Sequence, residues 1–166
     1  MERCWRSGAA MGGEHGAGGN LLIGVGNPLR GDDGVAAVLL EELAADGWAH
    51  RPPPAEVRVV HQLTPELALA LASSRRVLFV DACALAGTTE PWIEALEPLG
   101  TGALGGHQLD PPTLMALAAA LYGWRGEGAL LRMPAYAFPH GMGLSAPSRL
   151  ALPRARELVH GWLRGG

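Results

Sequence analysis

The feature that most constrains this chain is a pair of short, uninterrupted apolar runs that each end on polar residues. Leu21-Leu22-Ile23-Gly24-Val25 gives way to Gly26-Asn27-Pro28, and Val77-Leu78-Phe79-Val80 ends on Asp81. Strands that alternate apolar and polar residues have one wet face. Strands that are apolar throughout are covered on both faces, which is the habit of a parallel sheet between helices.

The segments between these runs keep the same rhythm. From Asp33, residues Val35, Val38, Leu39 and Leu43 recur at helical spacing with Glu41 and Glu42 turned away, and Gly47 is a natural stop. Glu56 to His61 alternates toward a second strand. Thr64-Pro65-Glu66 reads as an N-cap, a first-turn proline and a first-turn acid, opening a helix to about Ala72. Trp92–Leu96 is the next strand expected. Asp110 followed by Pro111 and Pro112 opens a helix ending near Tyr122-Gly123. A strand is expected over Ala129–Tyr136, and Ser145 with Pro147 opens a last helix to about Leu163. The alternation predicts an α/β fold in a single domain, with a twisted, mostly parallel sheet of about five strands flanked by helices. Residues 1–19, glycine-rich and without period, are expected to be a disordered leader in which Met11 is an alternative start. Residues 20–166 form the domain.

Composition narrows the function classes. The formal net charge of −3 gives no electrostatic reason to expect nucleic acid. All 13 basic residues are arginine, which excludes Schiff-base lysine chemistry and a phosphate-loop lysine. Two cysteines, Cys4 and Cys83, make no disulfide framework and are expected as free thiols in a reducing compartment. No apolar stretch approaches the roughly 20 residues that span a bilayer, so no membrane association is expected, the expected location is the cytoplasm, and a monomer is the default.

In open α/β sheets ligands bind beyond the carboxyl ends of the strands. Asn27 to Asp33, His61 to Thr64 and Asp81 all follow predicted strands directly. The first loop, GVGNPLRGDDG at 24–34, fails the dinucleotide fingerprint because Leu29 stands where a third glycine is needed, and its two acids would repel a pyrophosphate. Asp32 and Asp33 fit helix capping and dipole compensation, but adjacent side chains diverge, so one can cap while the other faces the cleft. Asp81 ends a wholly apolar run, where a carboxylate without partners would be costly if buried. It reads either as a cap or as a site residue. His107, in Gly105-Gly106-His107-Gln108, is a candidate ligand or a merely exposed imidazole. No HExxH, CxxC or G-x-S-x-G motif occurs. Cys83 is read as a small buried residue rather than an activated thiol, and His61 and His140 as hydrogen-bonding or surface histidines.

Taken together, GVGNPLRGDDG at 24–34, HQLTPELA at 61–68, VLFVDA at 77–82, GGHQLDPPTLMALA at 105–118 and HGMGLSAPS at 140–148 resemble the nickel-iron hydrogenase maturation protease family, in its order and at its spacing. The resemblance spans nearly all of the chain from Leu21 onward. It implies an endopeptidase that removes the C-terminal extension of a hydrogenase large-subunit precursor after nickel insertion. It also implies a nickel site formed by an acid of the first loop, an aspartate after a central strand and a histidine before a later helix, which fall on Asp33, Asp81 and His107. The catalytic and metal-binding roles are therefore expected of these three, with the nickel supplied by the precursor. Asn27, Asp32, Gln62 and Gln108 are expected to contact the substrate peptide. Two departures concern loop geometry: Ala36 stands where a second glycine often follows GDDG, and Ala146 separates Ser145 from Pro147. The competing expectations are a nickel-binding assembly chaperone without peptidase activity and a small-molecule-binding α/β module.

Overall fold

A computed structural model describes residues 18–47, 55–85, 87–98, 109–141 and 143–165. Five strands form one sheet: β1 (Asn20–Val25), β2 (Ala55–Val60), β3 (Arg76–Cys83), β4 (Trp92–Leu96) and β5 (Glu127–Pro134). Their order is β2-β1-β3-β5-β4. The first four are mutually parallel, and β4 closes one edge antiparallel to β5. The helices are α1 (Val35–Ala45), α2 (Leu67–Ala72), α3 (Pro111–Tyr122) and α4 (Ala146–Leu163).

Strand alternation sorts the core into two layers. Leu22, Leu78, Val80, Leu131 and Met133 pack with α1 and α4 on one face. Leu21, Ile23, Val77, Phe79 and Leu130 pack with α2 and α3 on the other. The apolar runs of β1 and β3 are continuous because both faces are covered. From β1 the chain crosses through α1 to β2. It then returns through α2 on the opposite face to β3, and continues away from β1. The topological switch point therefore lies between the carboxyl ends of β1 and β3.

Local signals place most helix ends. The Asp110 carboxylate accepts from the Thr113 N–H at 2.8 Å, and Gly123 stops α3 in the left-handed region at φ 68°. Ser145 caps α4. Three expectations need correction. Regular helix begins at Leu67 rather than at Pro65: Thr64, expected as the N-cap, accepts the Leu67 N–H through its backbone carbonyl, and no side chain caps α2. The stretch Gly31–Gly34 is a 3-10 turn, so α1 starts at Val35 and not at Asp33. β5 stops at Pro134, since the N–H groups of Tyr136 and Ala137 turn to the Asp32 carboxylate. The expected leader lies outside the described residues except at its end, where the Gly19 carbonyl accepts from Arg75. No described helix is long and apolar enough to cross a membrane.

Candidate functional site

The loop after β1 is shaped by its own backbone. Gly26 sits at φ 139°, and a Cβ there would overlap the carbonyl oxygen of Asp33. The Asn27 side-chain oxygen accepts from the Leu29 N–H at 2.9 Å, an Asx turn that starts the reversal. The Asn27 N–H in turn donates to Asp33 Oδ2 at 2.9 Å. Asp33 is thus held by the strand end it faces, and remains half-buried.

Its neighbour Asp32 points the other way and is 0% exposed. Its carboxylate accepts from the Tyr136 N–H (2.8 Å), the Ala137 N–H (3.0 Å), the Ser145 N–H (2.7 Å) and the Ser145 hydroxyl (2.8 Å). Burial alone would push this carboxyl up. The donors from Tyr136, Ser145 and Ser148 outweigh it and hold the group at about 2. Asp32 was expected to contact substrate. The structure corrects this, because a carboxylate sealed from solvent and satisfied by four donors has nothing to offer a peptide. Neither acid caps a helix by its side chain. The two acids do diverge, with Asp32 tying the first loop to the start of α4.

Asp81 lies near the end of β3, one residue past the Gly24↔Val80 pair, on the face shared with Phe79. Burial raises its pKa above the ordinary carboxylate value. The Ala82 N–H and the Arg132 charge oppose that rise, and the charge of Asp33 adds to it. Asp33 follows β1 and Asp81 lies near the end of the neighbouring β3, so the two acids flank the switch point. Two acids placed in this way gain from a bound cation, which would offset the desolvation of Asp81 and the Asp33 charge acting on it. Oxygen donors of this type suit nickel when imidazole completes the set.

The third expected ligand, His107, and the expected peptide contact Gln108 lie outside the described residues. Among the described residues no group of three or more His, Cys, Asp or Glu side chains could hold a metal ion. Of the three expected ligands, the described residues include the two carboxylates, Asp33 and Asp81. Gln62 is exposed just past the end of β2, which pairs with β1, and so lies at the same carboxyl edge. His61 and His140 are exposed, and Cys83 is a buried free thiol.

Sequence reasoning missed Arg132. It is the register partner of Asp81 on β5, and its Nε donates to Glu94 Oε1 at 2.9 Å. Its signal was present, as a lone charge inside the apolar run Ala129–Met133. Sequence reasoning also missed the links of Ser145 and Ser148 to Asp32 and Pro134. The Ser148 hydroxyl donates to the Pro134 carbonyl at 2.9 Å.

No protein-family model and no curated protein matches the chain. Solved structures do. The chain is similar to the NiFe hydrogenase maturation protease HycI from Thermococcus kodakarensis, with TM-score 0.66 and 19% identity over 89% of this chain and 93% of that one. It is similar to a hydrogenase 2 maturation peptidase from a Thaumarchaeota archaeon, with TM-score 0.63 and 22% identity over 87% and 97%. It is also similar to the hydrogenase maturating endopeptidase HybD from E. coli, with TM-score 0.62 and 19% identity over 88% and 92%. The chain has the fold of these proteins over nearly its whole described length.

Proposed function

We propose that this chain belongs to the hydrogenase maturation endopeptidases and removes the C-terminal extension of a nickel-iron hydrogenase large-subunit precursor. It would act on nickel already seated in that precursor, through Asp33, Asp81 and His107. The observation that carries the reading is that Asp33 and Asp81 flank the switch point of a fold shared with solved hydrogenase maturation proteases.

The chemistry follows from what the two acids are. Neither is a nucleophile placed by a base, so the attacking species is water. A nickel ion brought in by the precursor would polarise the scissile carbonyl or acidify that water. Asp33, oriented by the Asn27 N–H, offers a fixed carboxylate oxygen. Asp81, whose proton affinity burial raises, would be a second carboxylate at the same switch point, able to take a proton from water. Asn27, Gln62 and Gln108 would hydrogen-bond the peptide. The cut would depend on nickel, which makes the metal both checkpoint and docking point.

The test is intact-mass analysis of the partner precursor, loaded with nickel or free of it, after incubation with this protein. Loss of a C-terminal peptide from the loaded form alone is the expected result, and Asp33→Asn should abolish it. No loss from either form, with binding of the partner confirmed, would replace the peptidase by a nickel-binding assembly chaperone.

A further inference from the structure

Three adjacent strands carry a row of charge at the carboxyl edge of the sheet. Asp81 on β3 is the register partner of Arg132 on β5. Arg132 in turn reaches across to Glu94 on β4, Nε to Oε1 at 2.9 Å. Strand alternation puts Arg132 on the same face as Leu130, the face that also carries Phe79 and Asp81. Beyond Asp81 the row ends on Asp33. The sequence of charges is negative, negative, positive, negative, and the cation stands directly beside the acid proposed to hold nickel.

The Arg132–Glu94 pair is part-exposed, and such pairs add little to stability, so the main effect of the guanidinium on the fold is to steady the half-buried carboxylate of Asp81 beside it. The guanidinium charge also matters to a cation arriving at Asp33 and Asp81. The Coulomb term between Arg132 and a dication is repulsive, and a bare aqueous dication meets it in full. A metal ion whose charge is already largely neutralised by ligands of the protein that carries it meets only a fraction. Glu94 holds the guanidinium by its Nε and stands on the side away from Asp33, so its own attraction for the dication acts over a longer distance.

We infer that Arg132, steadied by Glu94, is a specificity-determining residue that tunes the Asp33–Asp81 pair against free dications and in favour of a metal presented by a partner chain. The inference rests on the nickel reading of the site and deepens it. It explains how two carboxylates flanking the switch point can avoid loading metal from solution before their substrate arrives.

The experiment is calorimetric titration of nickel chloride into the full-length protein and its variants, without precursor, at pH 7 and low salt. Arg132→Gln should bind nickel about tenfold more tightly than the unaltered chain, with the difference shrinking as salt is added. Arg132→Lys, which keeps the charge, should stay near the unaltered value. Glu94→Gln should bind more weakly, since it removes a negative charge and frees the guanidinium to approach Asp81. Equal affinity in Arg132→Gln, or no measurable binding by either protein, overturns the inference. So does equal or tighter binding by Glu94→Gln, which keeps the question answerable if Arg132→Gln does not fold. Asp33→Asn separates the two readings. If it binds nickel as well as the unaltered chain, the nickel assignment itself falls. If it loses binding while Arg132→Gln is unchanged, only the role of Arg132 falls.

Discussion

Asp32 and Ser145 are joined twice: the same carboxylate accepts the Ser145 backbone N–H at 2.7 Å and its hydroxyl at 2.8 Å, across 113 residues of chain. The pairing fastens the loop that presents Asp33 to the first turn of α4. It also fixes the strand-to-helix passage, because the other two donors come from Tyr136 and Ala137. Asp32→Asn replaces one acceptor by a donor facing donors. The expected loss is about 3 kcal/mol, or roughly 6–12 °C in melting temperature for a chain of this size. Thermal unfolding followed by circular dichroism measures it, and a variant as stable as the original would show that the latch is dispensable.

The same group sets a limit on acid stability. Its folded pKa of about 2 lies below the ordinary value of 3.8. A depressed carboxyl contributes stability that is fully present above its unfolded pKa and is lost as pH falls through the folded one. Asp32 should therefore contribute about 2 kcal/mol near neutrality, lost progressively between about pH 4 and pH 2. Urea titrations across that range should show the slope in the unaltered protein and a flatter curve in Asp32→Asn.

Asp81 has the opposite sign. Burial, reinforced by the Asp33 charge, raises its pKa, so the folded protein carries a penalty at neutral pH that disappears as pH falls and the carboxyl is protonated. Asp81→Asn should accordingly raise the melting temperature at pH 7. That gain should shrink in acid, and cleavage of the loaded precursor should be lost. A variant less stable at pH 7 would mean that the Ala82 and Arg132 contacts outweigh the burial.

These two neighbouring sites show what the sequence could and could not tell. The apolar runs of β1 and β3 located the parallel core and the carboxyl edge where polar residues follow, because covering both faces of a strand confines its polar residues to its ends. Asp110 and Ser145 announced their helices, because a cap is a contact within four residues. The role of Asp32 is not legible locally, since its partners lie 104 to 113 residues away and no local spacing encodes them. Arg132 was overlooked for the same reason, although a charge within an apolar strand asks for a partner across the sheet.

Gly26 offers the sharpest test of how the loop aims Asp33. Two effects meet there: a φ of 139° that side chains rarely adopt, and a Cβ position that overlaps the Asp33 carbonyl oxygen. Gly47, after α1, has a positive φ of 72° but nothing within 4 Å of its would-be Cβ. Gly47→Ala should therefore cost only the backbone term, about 1 kcal/mol. Gly26→Ala should cost about 2–4 kcal/mol and displace Asp33, because relieving the overlap means moving the backbone that carries its carboxylate. Urea unfolding gives the first quantity, and the precursor assay reports the second. Equal costs at the two glycines would mean that the loop shifts freely and that the position of Asp33 is not set by Gly26. A larger cost at Gly26 with intact cleavage would mean that the carboxylate reaches its place by another route.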